Sequence, residues 1–99
     1  MIKSFLIVLV SLFAFSAQAA DIRNGESLAR RWCASCHVVA SDQRGPASEA
    51  PPFASVAKRQ DFDAQKLAFF LLNPHPKMPD MGLSRGAAED IAAYIGSLK

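Results

Sequence analysis

Cys33-Ala34-Ser35-Cys36-His37 is the stretch on which the reading of this chain turns. Two thiols three residues apart on a helical turn face the same way, so each can add to one vinyl group of the same porphyrin and form a thioether. The spacing C-x-x-C-H is the attachment signature of c-type haem. His37 follows directly, placed so that its imidazole reaches the iron from beneath the ring. Its other ring nitrogen then needs an acceptor to fix tautomer and basicity, and a backbone carbonyl of the Gly45-Pro46 or Pro51-Pro52 region is the expected partner. Other chemistries use the same residue types. A redox dithiol of the thioredoxin kind needs a strand before the motif and a mixed sheet around it, and neither pattern is present. A zinc ion needs four ligands. The chain offers Cys33, Cys36, His37 and the distant His75, and adjacent Cys36 and His37 are poorly placed to share one tetrahedral ion. A disulfide closing so small a loop would staple almost nothing.

Upstream of the motif, Lys3 supplies a positive start, Ile2 and Ser4 to Phe15 are almost wholly apolar, and Ala17-Gln18-Ala19 places small residues where a signal peptidase reads them. Residues 1–19 are therefore expected to be a signal peptide, with residues 20–99 forming one mature domain in the periplasm. The alternative is an uncleaved membrane anchor, since the apolar run approaches the roughly 20 residues that cross a bilayer. Polar Asp21 directly after the small-residue site fits removal better. A mature chain of 80 residues is near the size at which an apolar core alone is barely enough and a staple is needed. Without Lys3 it carries ten Lys and Arg against nine Asp and Glu. That near-neutral balance, with no basic run, excludes nucleic acid as an expected partner.

Downstream and around the motif, three segments have helical period and none has strand alternation. The first opens with Asp21 or Asn24 as cap and sets Ile22, Leu28, Ala29 and Trp32 along one side before running into the cysteines. The second, about Asp63 to Leu72, carries Leu67, Phe70 and Leu71, with Asp61 or Asp63 as cap and Asn73-Pro74 as stop. The third starts at Ser84 and places Ala88, Ile91, Ala92, Ile95 and Leu98 on one stripe. Ser41 to Pro52 is a punctuated surface loop, followed by a short helical turn through Phe53 to Lys58. Asn73 to Gly82 contains Pro74, Pro76 and Pro79, so it is neither regular helix nor central strand. Such a stiff loop is built to present a side chain. Met78, in Lys77-Met78-Pro79, is the candidate for the opposite face of the iron, with Met81 and His75 as alternatives; the bland role for Met78 is to fill a gap in the core.

These elements together resemble the class I cytochromes c over nearly the whole mature chain. The matching features are Gly25 eight residues before the first cysteine, Cys33-Ala34-Ser35-Cys36-His37, a following Gly-Pro, Met78-Pro79, Leu83-Ser84, and Asp90-Ile91-Ala92-Ala93-Tyr94-Ile95. In that family the first and last helices cross at near right angles over a small residue, with an aromatic beside it, and Gly25 and Tyr94 match those places. The resemblance implies an all-α cytochrome c fold, with three main helices plus short helical turns wrapped around one haem c bonded through Cys33 and Cys36. It implies His37 as proximal ligand, Met78 as distal ligand, and electron transfer through the exposed haem edge. The chain departs from the family in two respects. Pro46 and Pro51-Pro52 both stand where one dominant proline match is expected. The only tryptophan, Trp32, precedes Cys33, so no propionate contact carries over to it.

The function implied is that of a single-electron carrier rather than an enzyme. With Met and His both on iron there is no open position for oxygen or substrate. The alternatives are a small haem subunit of a larger oxidoreductase, and a haem sensor or enzyme with an open sixth position. The expected partners are redox proteins, donor and acceptor, approached by a monomer; a membrane enters only if the leader is retained. Arg44, Lys58, Arg59, Lys66 and Lys77 are candidates for docking an acidic surface, although scattered lysines commonly serve solubility alone.

Overall fold

The computed structural model describes residues 19–45, 49–73 and 77–99. The leader assigned to residues 1–19 lies almost wholly outside the described residues, as do Pro46 and His75. Four helices follow in order: α1 (Ile22–Trp32), α2 (Phe53–Ala57), α3 (Ala64–Leu72) and α4 (Arg85–Gly96), with no strand among the described residues. The all-α expectation is met, and no helix among the described residues is long and apolar enough to cross a membrane.

Each main helix starts where a side chain can satisfy its unpaired N–H groups. Asp21, not Asn24, caps α1, accepting from the Asn24 N–H at 3.0 Å. Asp63 caps α3 by accepting from Gln65 and Lys66 N–H at 2.9 and 3.0 Å, and Ser84 caps α4 through the Ala87 N–H at 3.0 Å. Arg30 and Arg31 fall in the last turn of α1, where positive charge opposes the partial negative charge of the helix end.

The α1–α4 packing is the frame. A Cβ on Gly25 would lie 2.0 Å from the Asp90 carbonyl oxygen and 2.9 Å from Tyr94 Cβ, so only glycine lets the two backbones meet here. Asp90 closes the same junction from the side: its carboxylate accepts from the Asp21 N–H and from Asn24 Nδ2, both at 2.8 Å. Ala88, Ile91, Ala92, Tyr94 and Ile95 form the buried stripe of α4. Leu98, expected on that stripe, lies beyond the helix end and is half-buried against the core. The apolar side read for α1 is only partly inward, since Ile22 and Trp32 remain 47% and 44% exposed, and Trp32 has the Arg31 guanidinium 4.9 Å above its ring. On α3, Leu71 is buried whereas Phe70 is largely on the surface.

The polypeptide core is thin. Five of its twelve buried hydrophobic residues among those described are alanines, which bring little apolar area. Larger groups, Val56, Leu67, Leu72, Met78 and Leu83 among them, pack against that core while staying only half-buried.

Candidate functional site

The last turn of α1 delivers the motif. Cys33 is the C-cap of α1 and donates its N–H to Ala29. The chain then makes one further turn, with Cys36 and His37 N–H both donating to the Cys33 carbonyl, at 3.1 and 2.9 Å. Cys33, Cys36 and His37 are thereby brought onto a single turn, as their spacing implied. Cys33 is buried and Cys36 exposed, and neither sulfur is in a disulfide. Burial, together with the neighbouring Cys36, pushes the Cys33 thiol up to about 11, so it is protonated at neutral pH.

His37 is oriented by the loop that follows. Its Nδ1 lies 2.6 Å from the Pro51 carbonyl oxygen. Because a carbonyl only accepts, Nδ1 carries the hydrogen of this contact, so Nε2 is the ring nitrogen left for a metal. Of the two proline regions expected to supply the acceptor, Pro51-Pro52 does so, while Pro46 falls outside the described residues. The Pro51 carbonyl is brought there by the Phe53 N–H donating to the Val38 carbonyl at 2.9 Å. The buried Phe53 ring then packs 5.1 Å from the imidazole at 42°.

Two further residues hold this loop, and neither was singled out as belonging to the site. Gln43 accepts the Val39 N–H at 2.8 Å through Oε1, and its Nε2 donates to the Ala34 and His37 carbonyls at 3.0 and 2.8 Å. A glutamine in a polar loop has no spacing signature, so nothing in the sequence marks it. Tyr94, expected only at the helix crossing, also donates its hydroxyl to the Val39 carbonyl at 2.6 Å. Burial first, then Glu26, raise the phenol above its ordinary range, which keeps it a donor. Arg30 holds Asp42, beside Gln43, through a 3.1 Å surface contact that contributes little alone.

Met78 is half-buried and packs on the same core to which Cys33 and Phe53 belong. Met81 is half-buried as well, in a turn where Asp80 accepts from the Gly82 N–H at 2.8 Å and Gly82 takes a positive φ of 62°. Among the described residues, no group of three or more His, Cys, Asp or Glu could hold a metal ion. The cationic side chains proposed for docking are exposed, but Arg59 and Lys66 line one surface depression with Asp61 and Asp63, so the local sign there is mixed.

Residues 20–95 match the family described as "Cytochrome C oxidase, cbb3-type, subunit III". The chain is also 60% identical over 94 residues, covering 95% of this chain and 90% of the relative, to a protein named "Cytochrome c-552" from Bradyrhizobium diazoefficiens. No solved structure matches it significantly.

Proposed function

This chain belongs to the c-type cytochrome family matched by residues 20–95, and on that premise we propose that it is a periplasmic single-electron carrier with His37 and Met78 as the axial ligands of its haem. It is a small monohaem class I cytochrome, an electron-transfer protein rather than an enzyme, of a family that binds haem c covalently and acts with redox partner proteins. Bound haem supplies an iron that changes oxidation state by one electron.

The chain's own residues fit that group. The observation that carries the reading is the 2.6 Å contact of His37 Nδ1 with the Pro51 carbonyl, which leaves Nε2 as the ring nitrogen available to a metal. Cys33 and Cys36 would hold the group through thioethers, for which each would have to present a thiol whose sulfur and hydrogen are both taken up in an addition with no net oxidation. The alanine-rich core and the half-buried residues around it suit a domain whose bulk is completed by a prosthetic group. Met78 supplies the sixth ligand in this reading, which leaves no position for substrate. The apolar leader ending in Ala17-Gln18-Ala19 supports export and cleavage before Ala20.

Mass spectrometry of protein from a periplasmic extract tests compartment, cleavage and cofactor together. The expected result is a chain starting at Ala20 with the added mass of one haem; a colourless chain with two unmodified thiols overturns the reading. The family's description also favours a second possibility, a haem subunit of a larger oxidoreductase. Near-full-length coverage of a relative named simply as a cytochrome supports the independent carrier. Size-exclusion chromatography of a native extract separates them, the carrier eluting as a monomer.

A further inference from the structure

We propose that Gln43 is a positioning residue for the proximal side, holding the His37 peptide so that the Nδ1 bond to Pro51 stays short; this rests on His37 being the iron ligand. The side chain spends both amide hydrogens and one lone pair on a single stretch of backbone, joining Ala34, His37 and Val39. The Ala34 carbonyl lies past the end of α1, where carbonyls have no donor in the helix. The Gln43 amide supplies one. The peptide groups on both sides of Val38 are thereby tied to one rigid amide, while the Val38 carbonyl goes to the Phe53 N–H at 2.9 Å. Phe53 in turn follows Pro51 and Pro52, so the histidine and its acceptor are registered against each other from two directions.

The consequence reaches the ligand's electronics. A short Nδ1–H···O=C bond makes the imidazole more electron-rich and favours the ferric state. Releasing the His37 carbonyl lets the ring and the Pro51 carbonyl drift apart, which favours the ferrous state. Tyr94 provides the contrast: it holds the same loop at the Val39 carbonyl, two residues beyond His37.

The experiment uses the haem-loaded protein with Gln43→Leu, Gln43→Asn and Tyr94→Phe, reading the reduction potential and, by NMR of the ferrous state, exchange of the His37 Nδ1–H. Gln43→Leu should raise the potential and speed exchange of that hydrogen, both measured against wild type. Gln43→Asn, whose amide is one methylene short, should move both readouts the same way by less, and it serves alone if the leucine variant does not mature. Tyr94→Phe should lower stability and move both readouts less than Gln43→Leu does. Wild-type potential and exchange in the Gln43 variants, or equal shifts in Tyr94→Phe, overturn the proposal. Absence of iron-induced shifts on the His37 ring in the ferric wild type would instead overturn the ligand assignment itself.

Discussion

The described residues between Cys33 and Pro52 and those from Lys77 to Ser84 lie outside the helices in both cases, yet they are held by different forces. In the first, Val38 and Val39 carbonyls, the Val39 N–H and the His37 ring are each tied by a bond of 2.6 to 2.9 Å to a residue elsewhere in the loop, in α2 or in α4. The second is shaped by Pro79, by a local turn from Asp80 to Gly82 at 2.8 Å, and by Met78 and Leu83 packing on the core. The two ligands proposed above would therefore owe their geometry to different causes. His37 is aimed by directional polar bonds that exist in the polypeptide alone. Met78 is aimed by chain stiffness and apolar contact, which are specific only when there is bulk to pack against.

Neither region, on this view, survives loss of the shared centre. Cys33→Ala with Cys36→Ala is expected to abolish attachment and leave no cooperative thermal transition by circular dichroism, because the alanine-rich core cannot hold a chain of this size. A sharp transition in that double variant would mean that the proximal hydrogen bonds and the Gly25 crossing suffice by themselves, breaking the comparison at its root.

Met78→Ala should separate the two regions. The long-wavelength sulfur-to-iron charge-transfer band of the ferric protein is expected to vanish, with a stability loss of about 2 kcal/mol, the low end for a methionine that is only partly buried. The His37 Nδ1–H signal should remain. Met81→Ala should keep the band; if the band is lost there and kept in Met78→Ala, the distal ligand is Met81.

The same contrast explains what could be read from the sequence. The attachment turn was legible because C-x-x-C-H is a local spacing, and the three main helices because caps and apolar period are local too. Gly25 and Tyr94 are legible only through family resemblance, since no local pattern shows which glycine must leave room for a neighbouring backbone where a Cβ would fall 2.0 Å from the Asp90 carbonyl oxygen. Pro51 could not be told from Pro46, because choosing between them depends on how the chain returns through Phe53 to Val38, a contact across the loop. Gln43 is not legible at all: its three bonds reach back to Val39, His37 and Ala34 within backbone that has no helix or strand period to reveal them. Helical period places Trp32 along the apolar side of α1, but the crossing at Gly25 sets the rotation of that helix and the ring stays 44% exposed.

The smallest expected effect is the most selective. Tyr94→Phe removes one hydroxyl and leaves the Val39 carbonyl without that donor, which should cost roughly 1 to 2 kcal/mol in a denaturant titration of the oxidised protein. It also carries a pH dependence whose sign follows from the fold. Burial and Glu26 raise the phenol above its ordinary 10.0. Stability carried by the protonated hydroxyl is therefore complete below pH 10.0 and is lost as pH rises through the raised value. The wild type should lose stability in that alkaline window and the phenylalanine variant should not, so the two curves converge as pH climbs. Parallel curves would show that the phenol's proton is not what ties α4 to the proximal loop, and the rigidity of that loop would then rest on Gln43 and the Phe53 N–H.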